Sequence, residues 1–100
     1  MKSNINQSVT VNSILKLIKA DLVKKNLFYT EGVKFGLDLL VYTAPCDKVH
    51  SKYGLKIYSD TLQYQDLVAL QRVCTNSNKI LILVKYYNNK LFYIEINRFV

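Results

Sequence analysis

Residues 80–84, ILILV, constrain the fold more than any other part of the chain, because all five positions are apolar. A run of this length between polar segments is typical of a central β-strand. The next segment, residues 87–90, reads YNNK and is typical of a turn. It leads into LFYIEI, so the sequence predicts that residues 80–84 pair with this segment as an antiparallel hairpin.

The first half of the chain predicts a helix followed by two strands. Residues 12–25 repeat apolar side chains at the helical period and carry most of their lysines on the other face, with Asn12 or Ser13 as N-cap. After Phe28 and Tyr29, the pair Glu31-Gly32 predicts a turn. Residues 37–42 then predict a largely buried strand.

The second half adds a strand and a helix before the hairpin. Residues 53–59 alternate apolar and polar side chains, as in a strand with one wet face. Asp60 and Gln63 have the spacing of a capping box, which predicts a second helix over 61–75. The predicted fold is therefore α/β, a mixed β-sheet flanked by helices in the order α-β-β-β-α-β-β.

The length of 100 residues predicts one domain spanning residues 1–100, with residues 1–11 as a flexible N-terminus. No apolar run is long enough to span a membrane, and the N-terminus does not resemble a signal peptide. We therefore expect a soluble intracellular protein, cytoplasmic or, in a eukaryote, nuclear. The net charge of +7 favours a polyanionic partner, although a lysine-rich solvated surface explains the charge equally well.

The sequence offers little for a metal or a cofactor. Cys46 and Cys74 lack CxxC spacing, and with a single histidine they make a poor zinc site, so we expect reduced thiols that bind no metal. The three glycines match no phosphate-binding loop. Seven acidic residues are scattered along the chain, which disfavours a two-metal nuclease. Neither a metal nor a cofactor is expected.

Metal-free RNA cleavage makes smaller demands on a protein, because the 2′-hydroxyl of the RNA is itself the nucleophile. The protein must remove one proton, donate another and stabilise a charged phosphorane. His50 is the only histidine, so a second type of group must share the proton transfer. Tyr42, at the end of a predicted strand, and Lys79, ahead of ILILV, are candidates. Acyl transfer by Ser51 is disfavoured, because its side chain and that of the adjacent His50 would point to opposite faces. Taken singly, each candidate is explained more simply by packing or solvation.

Three segments resemble the catalytic domain of the tRNA-splicing endonuclease family. They are GVKFGLDLLVY at 32–42, VHSKY at 49–53 and NKILILV at 78–84, and together they cover the pattern of KFG, aspartate, HSxY and a lysine-led strand. The resemblance extends roughly over residues 25–97. Gly54 departs from it, since an apolar run usually follows HSxY.

The resemblance implies a restriction-endonuclease-like catalytic domain that cleaves precursor tRNA at exon–intron junctions without a metal. It implies Tyr42 as general base, His50 as general acid and Lys79 as stabiliser of the phosphorane. Arg72 matches an arginine that clamps a bulged base by a cation–π contact, and Arg98 is the candidate for the second arginine. The products would carry 2′,3′-cyclic phosphate and 5′-hydroxyl ends.

A chain this short resembles the catalytic subunits that work with a distinct structural subunit, so we expect a heterotetramer. The apolar strand at the C-terminus, LFYIEINRFV, is the expected pairing surface, although an ordinary edge strand would look the same. Two other functions remain open at this point. One is a non-catalytic subunit of the same enzyme, and the other is a small basic RNA-binding module, for which the tyrosines and lysines of KYYNNKLFY would stack on bases.

Overall fold

The computed structural model describes residues 10–96, and within them the order α-β-β-β-α-β-β and the α/β class are confirmed. One turn of 3₁₀-helix, Val33–Phe35, follows the first strand. The helices and strands are α1 (Val11–Lys24), β1 (Phe28–Glu31), β2 (Leu39–Tyr42), β3 (Tyr53–Ile57), α2 (Tyr64–Asn76), β4 (Ile80–Tyr87) and β5 (Lys90–Ile96).

The predicted flexibility of residues 1–11 stays a prediction for residues 1–9, which lie outside the described part. Thr10 and Val11 already begin α1, and the Thr10 hydroxyl accepts a hydrogen bond from the Ser13 backbone. Thr10 is therefore the N-cap, and the prediction of Asn12 or Ser13 is wrong; α1 begins at Val11, one residue before the predicted range of 12–25. Neither helix of residues 10–96 has the length and apolar character that crossing a membrane requires.

The five strands form one mixed sheet in the order β1-β2-β3-β4-β5. Only β3 and β4 are parallel, and α2 connects them, as a parallel pair requires. The other neighbours are antiparallel. Strand β5 consequently lies at one edge of the sheet and β1 at the other.

The two helices cover opposite faces of the sheet. Because side chains alternate along a strand, Leu39 and Val41 pack with α1 on one face, while Leu40 between them packs with α2 on the other. The α1 cluster contains Ile18, Leu22, Leu39, Val41, Leu55, Ile57 and Val84. The α2 cluster contains Leu37, Leu40, Leu70, Cys74 and Leu81.

Tyr93 of β5 ties α1 to the sheet. Its hydroxyl donates a hydrogen bond of 2.6 Å to Asp21, which also forms an ion pair with Lys25. The hydrogen bonds from Lys25 and Tyr93 hold the pKa of the Asp21 carboxyl below its ordinary value. Burial and the neighbouring Asp21 carboxylate raise the pKa of the Tyr93 phenol, which stays protonated as a donor.

The start of α2 was predicted wrongly. The capping box joins Gln63 to Asp66, not Asp60 to Gln63, so the helix begins at Tyr64. The preceding residues form a turn in which the Leu62 N–H donates to the Ser59 carbonyl. This turn uses the residues that the pattern assigned to the first turn of the helix.

The hairpin prediction is confirmed, with longer strands than expected. Strand β4 continues past Val84 to Tyr87, and the strand before α2 is shorter than predicted because it ends at Ile57. Asn88 and Asn89 form the turn with φ angles of 52° and 61°. Positive φ at both central residues is what a two-residue hairpin turn requires, and asparagine tolerates it well.

Gly54 lies at the closest approach between β3 and the layer that covers it. A Cβ at this position would lie 2.6 Å from Leu37 Cδ1 and 3.2 Å from Cys74 Sγ. A side chain at position 54 would therefore force the Leu37 side chain to move and would press on Cys74 of α2. This contact explains why a glycine fits at position 54.

The change Gly54→Ala should lower the free energy of unfolding by about 1–3 kcal/mol, as overpacking of a core does. Leu37→Val removes the clashing methyl group and alone should cost about 1 kcal/mol. Urea denaturation of both single variants and the double variant measures their coupling. The double variant should be more stable than the sum of the single effects predicts, and effects that add within about 0.5 kcal/mol would contradict the contact.

The lowered pKa of Asp21 predicts a pH-dependent contribution to stability. The contribution is complete above the ordinary aspartate pKa and is lost as the pH falls through the lower folded value. Wild type should therefore exceed Asp21→Asn in unfolding free energy at pH 7, and the difference should shrink towards pH 3. Urea titrations at several pH values test this, with the exposed Asp47→Asn as control. A difference that stays constant with pH would exclude the assigned cause.

Candidate active site

Three strand ends meet at one end of the sheet. Strand β2 ends where the antiparallel β3 begins, and the parallel β4 begins beside β3. The backbone of Lys52 joins the three strands, because its N–H donates to the Val41 carbonyl at 2.8 Å and its carbonyl accepts from the Ile80 N–H at 2.9 Å. Tyr42 and Lys79 are the residues next to these two partners. They therefore lie at the same end of the sheet as the segment that contains His50.

Tyr42 is held at both ends of its side chain. Its half-buried ring packs against the α2 cluster. Its hydroxyl lies 3.0 Å from the Thr30 hydroxyl on β1. The phenol thus has a defined direction at the end of β2.

Lys79 is positioned by the end of α2 and by an aromatic ring. Asn78 has a φ of 58°, which turns the chain after the helix, and the Lys79 N–H donates to the Cys74 carbonyl at 2.7 Å. The ammonium lies 5.0 Å from the centre of the Phe35 ring, and its hydrogen bond to the Ser77 carbonyl is long, at 3.5 Å. The one ion pair of residues 10–96 joins Lys25 to Asp21, so no carboxylate among these residues neutralises Lys79.

His50 lies in the loop between β2 and β3 and is exposed. No hydrogen bond to its imidazole is present within residues 10–96, in contrast to Tyr42 and Lys79. The neighbouring Ser51 is only 7% exposed, so the two adjacent side chains lie in different surroundings. Among the described residues, the Tyr42, His50 and Lys79 side chains share one end of the sheet but form no hydrogen bond with one another.

Of the two candidate arginines, only Arg72 lies within the described residues. Arg72 is exposed on α2, one turn before the helix ends at Asn76. The end of α2 leads directly to Lys79, so Arg72 lies towards the same end of the sheet. Arg98 lies outside the described residues.

Comparison with known protein families gives one match over most of the chain. Residues 15–91 match the family described as tRNA intron endonuclease, catalytic C-terminal domain. The chain belongs to this family. The match contains Tyr42, His50, Arg72 and Lys79, and Arg98 lies beyond its end. No curated protein matches the chain.

The match to this family confirms the resemblance seen in the sequence and shows a role as a tRNA-splicing endonuclease.

The aspartate of the KFG pattern has a structural role in this tRNA intron endonuclease domain. The aspartate after KFG, Asp38, accepts a hydrogen bond of 2.7 Å from the Ile57 N–H. Its own N–H donates to the Leu55 carbonyl at 2.8 Å. Asp38 thus fastens the start of β2 to the end of β3, opposite the end that carries Tyr42.

The cysteines of the endonuclease domain are both free. Cys74 lies on the buried face of α2, and burial raises the pKa of its thiol, while the nearby Lys79 opposes this shift more weakly. The thiol therefore stays protonated and serves packing. Residues 10–96 contain no group of three histidine, cysteine or acidic side chains that could hold a metal.

Three contacts in the site were not predicted from the sequence. The hydroxyl of Thr30, the ring of Phe35 and the backbone of Lys52 each hold one part of the site. Phe35 belongs to the KFG motif, which the sequence marks as part of the family pattern without indicating what the phenylalanine contacts. Thr30 and Lys52 had no signal, because their contacts depend on how the strands pair.

Proposed function

We propose that this chain is the catalytic subunit of a tRNA-splicing endonuclease. It cleaves precursor tRNA at exon–intron junctions of the bulge-helix-bulge type, without a metal, and leaves 2′,3′-cyclic phosphate and 5′-hydroxyl ends. The observation that carries the proposal is the common location of Tyr42, the His50 loop and Lys79 at one end of the sheet. A non-catalytic subunit would have no chemical need for all three groups.

The first step of the proposed reaction is removal of the 2′-hydroxyl proton. Tyr42, as the phenolate, takes this proton, and the 2′-oxygen forms a bond to phosphorus. The Tyr42 ring packs against the α2 cluster, so this base loses little conformational freedom when RNA binds. A cationic site that binds a phosphate also favours the phenolate over the phenol.

The second step is departure of the 5′-oxygen. His50, as the imidazolium, donates a proton to this oxygen as its bond to phosphorus breaks. Exposure of His50 leaves it accessible to an RNA backbone. Lys79 stabilises the charge on the non-bridging oxygens of the phosphorane, a role that suits an ammonium with no carboxylate partner in the described chain.

Arg72 is proposed to hold a bulged base next to the scissile phosphate. Its guanidinium is exposed and can stack on a nucleobase by a cation–π contact. Arg98 is proposed as the second half of this clamp. These two residues would act on binding and not on proton transfer.

Cleavage of a precursor tRNA in EDTA tests the proposal, with the chain assembled with the subunit that co-purifies with it. Tyr42→Phe and His50→Ala should each slow single-turnover cleavage by about 10²–10⁴-fold, because each removes a proton-transfer group. Lys79→Ala should slow it by about 10²–10³-fold. Lys85→Ala serves as the control. Lys85 is an exposed lysine on β4, the strand that begins directly after Lys79, but it lies further along the strand from the site.

The outcomes separate the possible functions. Wild-type rates for His50→Ala would rule out the proposed acid. Cleavage that survives all three substitutions would mean that another subunit carries the active site and that this chain is non-catalytic. Binding of precursor tRNA without cleavage under any condition would favour the RNA-binding module.

The partner is proposed to be a distinct structural subunit in a heterotetramer, with β5 as the pairing surface. Strand β5 lies at the sheet edge, and no strand among residues 10–96 pairs with its outer side. Phe92 and Ile94 on this strand are each 44% exposed, which is unfavourable for large apolar side chains unless a partner covers them. Phe99 and Val100, expected to extend this surface, lie outside the described residues.

Ile94→Lys should prevent assembly without unfolding the chain, because it puts a charge into the proposed apolar contact. Val23→Lys is the matched control, since Val23 is also exposed and apolar but lies on α1. Native mass spectrometry of each variant with the co-purifying subunit reads out the assembly. Assembly of both variants like wild type, or a stable and active homodimer of wild type, would refute this arrangement.

A further inference from the structure

We propose that Thr30 is a positioning residue of the active site, which directs the Tyr42 hydroxyl and donates a hydrogen bond to its phenolate. This inference rests on the proposed role of Tyr42 as general base. It concerns a residue outside the three proposed catalytic groups and 12 positions from Tyr42 in the chain. Thr30 would act through Tyr42 and would not touch the RNA.

The pairing of β1 with β2 brings the two hydroxyls together. Thr30 is opposite Leu40, and Phe28 is opposite Tyr42, so Thr30 is the diagonal neighbour of Tyr42 on the same face of the sheet. A long aromatic side chain can reach a diagonal neighbour across an antiparallel pair. The distance of 3.0 Å between Tyr42 Oη and Thr30 Oγ1 is a hydrogen bond, in a part-buried position where water competes less.

The chemistry of the two groups decides the direction of this bond during the reaction. A threonine hydroxyl can donate or accept, whereas a phenolate can only accept. When Tyr42 is deprotonated, Thr30 must therefore be the donor, and this bond favours the charged form of the base. After Tyr42 takes the proton from the 2′-hydroxyl, the phenol can donate to Thr30 and the contact survives the step.

A second contact from the same short segment supports this role. Phe35, five residues after Thr30, lies under the Lys79 ammonium at 5.0 Å from ring centre to nitrogen. Residues 30–35 therefore contact the proposed base and the proposed phosphorane stabiliser. His50 has no such contact within residues 10–96, so two of the three proposed groups are oriented before RNA binds.

The NMR signal of Tyr42 in the free chain tests the hydrogen bond without any partner. The ζ-carbon of Tyr42 in ¹³C-tyrosine-labelled protein is assigned by its absence in Tyr42→Phe. Its chemical shift at neutral pH should change in Thr30→Val, which removes the hydroxyl that bonds to Tyr42 and keeps the shape. Thr30→Ser keeps the hydroxyl and should give the wild-type chemical shift, and Thr30→Ala replaces Thr30→Val if that variant does not fold.

Single-turnover cleavage by the assembled enzyme gives the matching kinetic result. The rising limb of the pH–rate profile should move to higher pH in Thr30→Val, and the rate below the limb should fall by about tenfold, because the phenolate loses a hydrogen-bond donor. In the Tyr42→Phe background, Thr30→Val should have no further effect, because its target is gone. Thr61→Val is the control, since Thr61 also has a side-chain hydrogen bond of 3.0 Å, to Ser59, in a loop outside the site.

The possible failures are distinguishable. If Tyr42→Phe cleaves like wild type, the proposed base and the role of Thr30 both fall. If Tyr42→Phe is inactive but Thr30→Val shows the wild-type Tyr42 chemical shift and pH–rate profile, only the inference on Thr30 is overturned. A loss of rate in Thr30→Val without a shift along the pH axis would reduce Thr30 to a structural residue.

Discussion

The pairing of one residue, Lys52, with two strands is the interaction on which the site depends. Its N–H and carbonyl bind Val41 and Ile80, the last residue but one of β2 and the first of β4. These two hydrogen bonds hold the end of β2 beside the beginnings of β3 and β4. A shift of either register by one residue would turn Tyr42 or the start of β4 to the other face of the sheet.

The close packing of α2 on β3 maintains that arrangement. Because Gly54 has no side chain, Cys74 and Leu37 approach the strand directly, and α2 ends where Lys79 can begin the approach to β4. The same helix connects the parallel pair β3 and β4. The lack of a side chain at Gly54, the burial of the Cys74 thiol and the position of Lys79 thus all follow from the packing of α2 on β3.

Periodic burial explains which parts of the fold could be predicted from the sequence. The α1 pattern, the ILILV strand and the Asn88-Asn89 turn each carry a local signal, and each was found. The start of α2 was missed because Asp60 with Gln63 and Gln63 with Asp66 have the same spacing, and only the turn ahead of the helix decides between them. Local patterns could not decide it.

The candidate site divides in the same way. The resemblance to the family indicates Tyr42, His50 and Lys79 as candidate catalytic residues. It does not indicate their contacts, because the contact of Tyr42 with Thr30 depends on strand register and that of Lys79 with Phe35 depends on the path of the 3₁₀ turn. Neither is encoded at any fixed spacing. The sequence therefore indicates which groups could act, and the fold indicates which of them are held in place.

The proposed mechanism is tested most directly by a structure of the assembled enzyme with a precursor tRNA that lacks the 2′-hydroxyl at the cleavage site. Tyr42 Oη should lie next to the 2′-carbon, an imidazole nitrogen of His50 within about 3 Å of the 5′-oxygen, and Lys79 Nζ at a non-bridging oxygen. Thr30 should keep its hydrogen bond to Tyr42. A scissile phosphate bound away from this end of the sheet, or against a different subunit, would rule out the proposed mechanism.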